Sequence, residues 1–158
     1  MTLTKTIEPH SFYKMTNFKR DFTPTPYYQM LLDTLSKEEI ALHFLELLKK
    51  EFPVADPDVK ITVTFLNTKS PGRAKEYLGI VNQNPVYKTA DITVYKTATD
   101  DTQRVLDTIA HEYKHVVQAY TPGYAFWSKR GRKRDPMIEP DAHIFGIFKS
   151  KLFCFGHI

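Results

Sequence analysis

The chain has 158 residues, of which 42% are apolar and 25% charged, with a net charge of +4. That is the composition of one ordinary globular domain, long enough to bury a core, and it excludes low-complexity and collagen-like proteins. The lone cysteine, Cys154, excludes an internal disulfide and fits a reducing compartment. No apolar run approaches membrane-spanning length, so no membrane partner is expected.

The opening "MTLTKTIEPHSFYK" lacks the apolar stretch of a signal peptide, and cytoplasmic residence is the expectation. Residues 1–25 carry Phe12, Tyr13, Phe18 and Phe22 among basic residues and read as an arm packed on a domain spanning 26–158. Thr25 before Pro26 reads as a helix cap with proline in the first turn. "SKEE", Ser36 to Glu39, is a capping box, and Ile40, Phe44, Leu47 and Leu48 repeat at helical spacing until Pro53 ends the run.

Three strands follow. Val59 to Leu66 alternates, with Val59, Ile61, Val63 and Phe65 on the core side. Glu76 to Val81 and Asp91 to Thr97 are expected to be strands joined across "NQNP". Asp100 and Asp101 open a helix that runs to about Tyr120, where Pro122-Gly123 stops it. A last helix is expected from about Asp135 to Phe153. The fold class is α+β: a small mixed or antiparallel sheet with an N-terminal helix, a motif helix and a C-terminal helix.

The motif helix carries "HEYKH". Positions i and i+4 lie one turn apart on one helix face, so His111 and His115 can aim at one metal ion. Glu112 follows the first histidine and can reach a water in the metal's open position. Zinc lowers the pKa of such a water towards neutrality, and a carboxylate can take its proton. Three fixed positions match by chance in a chain this long in under about 1% of cases. The alternative is two solvated histidines beside a chance glutamate.

A catalytic site also needs a third protein ligand. Glu139, Asp141 and His143 in "MIEPDAHIFGIF" are the candidates, although Glu139 and Asp141 could equally serve the helix start as acidic residues. Pro140, directly after Glu139, makes the helix begin there or kink.

"TIAHEYKHVVQ" followed by "EPDAHIFG" resembles the gluzincin pattern, HExxH and then ExxA on the next helix. It is most similar to zincin-like metallopeptidases of the ImmA/IrrE and minigluzincin group, over roughly Ile80 to Phe148. The resemblance implies a zincin-like fold and a Zn2+-dependent metallopeptidase. It makes His111, His115 and Glu139 the zinc ligands, Glu112 the general base, and a protein or peptide the substrate. It also implies that the strand before the motif helix, "ADITVYKT", is a sheet edge that pairs with an extended substrate.

His143, Asp141 and Tyr124 stay open as alternates for the third ligand or the oxyanion contact, with Tyr120 a further oxyanion candidate. Trp127 in "YAFW" is expected to anchor the loop after the motif helix; His10, His43 and His157 have no partner spacing.

In "KRGRKR" the residues Lys129, Arg130, Arg132, Lys133 and Arg134 form a basic block that could bind a polyanion or stay a solvated loop. SprT-like proteases, which act on DNA-bound proteins, also carry HExxH but use a third histidine. The alternative function is therefore a non-proteolytic binding protein on a zincin scaffold, weakly associated with nucleic acid through residues 129–134.

Overall fold

The computed structural model describes residues 23–71, 77–124, 126–127 and 135–156. Most of the arm, residues 1–22, lies outside them, as do His10 and His157.

Helix α1 (Pro26–Thr34) is capped by the Thr25 hydroxyl, which accepts from the Tyr28 N–H at 3.1 Å, and Pro26 occupies the first turn. Helix α2 (Lys37–Glu51) has both halves of the capping box. Ser36 Oγ accepts from the Glu39 N–H at 3.1 Å, and Glu39 Oε1 accepts from the Ser36 N–H at 2.9 Å. Its buried stripe is Ile40, Ala41, Phe44, Leu45 and Leu48; Leu47 turns outward and Leu45 takes the place expected for it.

Strands β1 (Lys60–Phe65), β2 (Gly79–Asn84) and β3 (Thr89–Val94) form one mixed sheet in the order β1-β3-β2. β1 runs parallel to β3 and β2 antiparallel to it. The expected alternation holds in β1, where Ile61, Val63 and Phe65 pack against the core and Lys60, Thr62 and Thr64 are exposed.

Two expectations about the sheet are corrected. The strand placed at 91–97 is β3, which ends at Val94; Lys96–Thr99 form a short helix, α3. β3 is also the central strand and not the edge: it hydrogen-bonds to neighbours on both sides, and Ile92 and Val94 are fully buried. The edge on the far side from β1 is β2. "NQN" belongs to that strand, because Asn82 to Asn84 pair with Asp91 to Thr89. The turn starts only at Asn84, whose Oδ1 accepts from the N–H groups of Val86 (3.0 Å) and Tyr87 (3.1 Å). Lys88 closes it at φ 54°.

Helix α4 (Thr102–Ala119) begins at Asp101, whose carboxylate accepts from the Gln103 N–H at 3.2 Å. It packs on α2, on β2 and β3, and most extensively on helix α5 (Ile138–Phe155). Val105, Leu106, Ile109 and Tyr113 turn into the core with Phe44, Leu48, Ile92 and Val94. α5 ends at Gly156 in the left-handed conformation (φ 76°), and the Thr25 N–H donates to the Cys154 carbonyl at 2.9 Å, tying the start of α1 to the end of α5. Among the described residues no helix is long and apolar enough to cross a membrane.

Candidate metal centre

The face of α4 opposite the core carries the histidines. His111 and His115 lie one turn apart with ring centroids 5.0 Å from each other. The third residue comes from the first turn of α5. Glu139 Oε1 stands 3.1 Å from His111 Nε2 and 3.3 Å from His115 Nε2.

Pro140 does not kink α5. It sits in the helix's first turn, where its missing N–H would have no intrahelical partner. The approach to that turn is fixed by Asp135, whose Oδ1 accepts from the Met137 N–H at 2.9 Å, and the Asp141 N–H bonds back to the Met137 carbonyl at 2.9 Å.

Among the described residues, His111, His115 and Glu139 are the three His, Cys, Asp or Glu side chains gathered closely enough to hold an ion, with donor atoms all within 4.8 Å. The spacing can be compared with that of a real ion. Tetrahedral zinc with bonds of about 2.0–2.1 Å holds its ligand atoms about 3.3 Å apart. Both histidine–glutamate separations fall at that spacing, and two imidazoles with one carboxylate are a donor set zinc accepts. The residues fit the ion.

The charges of the cluster act on one another. Partial burial works to raise the Glu139 carboxyl, but the His115 and His111 rings outweigh it and hold the group below the ordinary glutamate value. Burial, and then the neighbouring His115, lower His111. Glu112 is buried, with its Oε2 4.0 Å from His111 Nε2; burial, with the Glu139 charge added, pushes it up to about 8.

The cluster opens into a cleft of ≈ 1220 Å³ between α4, β2 and α5. Two residues of β2 set the width of this cleft. A Cβ on Gly79 would lie 2.5 Å from Thr108 Cγ2, 2.9 Å from the Thr93 carbonyl and 3.6 Å from Glu112 Cγ, so only glycine allows the strand to pass so near the glutamate. Farther along, Gln83 Nε2 donates to the His115 carbonyl at 3.3 Å. β2, not β3, is thus the strand beside the histidines.

The alternates separate by position. Asp141 points away from the ion-sized gap: its Oδ2 accepts from Gln118 Nε2 at 3.0 Å and from the Tyr124 hydroxyl at 3.4 Å, with Lys114 Nζ 3.9 Å away. Tyr124 is therefore committed to Asp141. Tyr120 packs edge-on against Trp127 at 6.5 Å, and neither tyrosine lines the cleft. His143 does line it, 6.4 Å from the His111 ring. Trp127 donates from Nε1 to the Ala119 carbonyl at 3.1 Å, fastening the segment after α4. The basic block, Lys129 to Arg134, lies outside the described residues.

Three residues that complete the site go beyond the motif reading. Gln118 accepts at Oε1 from His115 Nδ1, at 2.8 Å. Its signal was a glutamine one turn beyond His115. Gly79 and Gly146 hold α4 close to β2 and to α5, and the signal was a glycine at the start of a strand in one case and within a regular helix in the other.

No protein-family model, curated protein or solved structure matches this chain at a significant level.

Proposed function

We propose that this chain is a zinc-dependent metallopeptidase of gluzincin type, with His111, His115 and Glu139 as ligands and Glu112 as general base. The observation that carries the reading is the convergence of the two imidazoles on one glutamate oxygen at 3.1 and 3.3 Å, beside a buried second glutamate. Zinc bound there would supply Lewis-acid polarisation and would ease deprotonation of water at neutral pH.

The chain's own groups do the rest. Beside the positive charge of a bound ion Glu112 would be favoured in its ionised form, accept a proton from water in the cleft and return it to the leaving amine. His143, which lines the cleft from α5, would donate to the oxyanion that develops at the scissile carbonyl. β2 offers the main chain of a sheet edge to an extended peptide, and Leu78, Ile80, Val81 and Ile147 give apolar surface for its side chains. A cleft of ≈ 1220 Å³ exceeds the about 300–1,000 Å³ usual for a small-molecule pocket, which favours a polymer substrate.

Elemental mass spectrometry of the purified protein, with turnover of a quenched-fluorescence peptide library, tests the reading. The expected result is about one zinc per chain, lost in His115→Ala. In Glu112→Gln the zinc should stay and turnover should fall by at least about 100-fold. A wild-type chain that takes up no zinc when offered it would overturn the reading.

A further inference from the structure

Gln118 is almost fully buried, at 1% exposure, and its amide is used at both ends. Nε2 donates to the Ile138 carbonyl at 2.9 Å and to Asp141 Oδ2 at 3.0 Å; Oε1 faces His115 Nδ1 at 2.8 Å. The orientation of the amide follows from its partners. A flipped amide would set its oxygen against a carbonyl and a carboxylate, both of which only accept. With Oε1 towards the ring, His115 carries a proton on Nδ1, so the neutral ring keeps its Nε2 lone pair for the gap facing Glu139.

The two groups held by Nε2 flank Glu139 on either side in sequence, at 138 and 141. One side chain therefore grips the second candidate ligand and the turn that bears the third. Pro140, inside that turn, adds a fixed φ. Lys114 Nζ, 3.9 Å away, and the Tyr124 hydroxyl, donating at 3.4 Å, sit against the same Asp141 carboxylate and help to place it for Gln118.

We infer that Gln118 is the positioning residue of the centre: it locks the His115 tautomer and clamps the Glu139 turn of α5 to α4, so that the ligand set is assembled before an ion arrives. The consequence for affinity rests on the zinc reading above. The lock itself is a property of the metal-free chain and is tested there.

The experiment compares wild type, Gln118→Met and Gln118→Glu by two-bond nitrogen–proton correlation of the imidazoles in metal-free protein. Amide exchange at Asp141 and zinc affinity by chelator competition are measured alongside. Wild type should show the Nδ1–H tautomer at His115. Gln118→Met, of similar volume, should lose that single tautomer, exchange faster at Asp141 and bind zinc about 10–100-fold more weakly. Gln118→Glu restores an acceptor for the ring but offers α5 no amide donor. The tautomer should therefore return while exchange at Asp141 stays fast.

Unchanged tautomer and exchange in Gln118→Met would overturn the inference even if wild type binds zinc. A locked tautomer, lost in Gln118→Met, in a chain that never takes zinc would uphold the lock and sink the metallopeptidase reading instead. If Gln118→Met does not fold, Gln118→Glu decides alone: fast exchange at Asp141 with the tautomer kept supports the clamp, and wild-type exchange refutes it.

Discussion

Gly146 of α5 lies so close to Asp107 of α4 that a Cβ added to the glycine would stand 2.8 Å from the Asp107 carbonyl oxygen and 3.3 Å from His111 Cβ. The two helices that bring the candidate ligands together meet here almost backbone to backbone. Gly146→Ala gains about 1 kcal/mol of helix propensity but must push the helices apart, and overpacking of this kind costs about 1–3 kcal/mol. The expected balance is a net loss of stability in urea melts, together with weaker zinc uptake as Glu139 moves from the histidines. A more stable Gly146→Ala protein with unchanged uptake would show that the contact yields easily.

Gly79→Ala should separate the cleft wall from the centre. Its Cβ meets Thr108 Cγ2 and the Thr93 carbonyl below 3.0 Å, so β2 must shift away from Glu112. Zinc content should stay at wild-type level, because none of the three candidate ligands is on β2, while peptide turnover falls by about tenfold or more. Loss of zinc in step with turnover would contradict that division of labour.

Tyr113, inside the "HEYKH" motif, faces the core and not the cleft. It is fully buried, and its hydroxyl donates to the Phe52 carbonyl at 2.6 Å. Tyr113→Phe should cost about 0.5–1.5 kcal/mol in a denaturant titration and leave zinc affinity alone. A change in affinity larger than in stability would mean that the core face of the motif reaches the ions' side of the helix.

The pH dependence of stability offers another check. Asp107 is half-buried on α4 and accepts from the Ser150 hydroxyl of α5. Burial pushes its carboxyl above the ordinary aspartate value, against the pull of that hydrogen bond. A folded-state value above the unfolded one means that the folded chain holds the proton more tightly. The group's contribution is therefore fully present below the ordinary carboxyl value and is lost as pH rises through the raised one. Asp107→Asn keeps an acceptor for Ser150 and carries no charge. Its melting temperature relative to wild type should climb as pH rises from the acid range to neutrality; a pH-independent difference would refute the assignment.

Much of this architecture was legible because local chemistry announces itself. Thr25-Pro26, the Ser36–Glu39 box and Asp101 each mark a helix start by a side chain that satisfies free N–H groups, and each start is found where those residues stand. The histidine pair was legible for the same reason, since a four-residue spacing on a helix fixes a shared face. Strand order was not. The mixed polar and apolar stretch of β3, TADITV, reads the same whether it lies at an edge or in the centre, and only its pairing with both β1 and β2 decides. The third ligand was ambiguous because Glu139, Asp141 and His143 fall within five residues. Their roles divide through contacts with Gln118 and the histidines that no spacing rule encodes.

The three candidate ligands all belong to a single pair of helices, α4 and α5, while the facing wall of the cleft comes from β2, which meets α4 at Gly79 and Gln83 among its contacts. On the proposed reading, the ligand set and the substrate-facing wall thus sit on different elements of the fold. Randomising Ile80, an exposed position of β2 that lines the cleft, would then sample new preferences without altering the histidine helix.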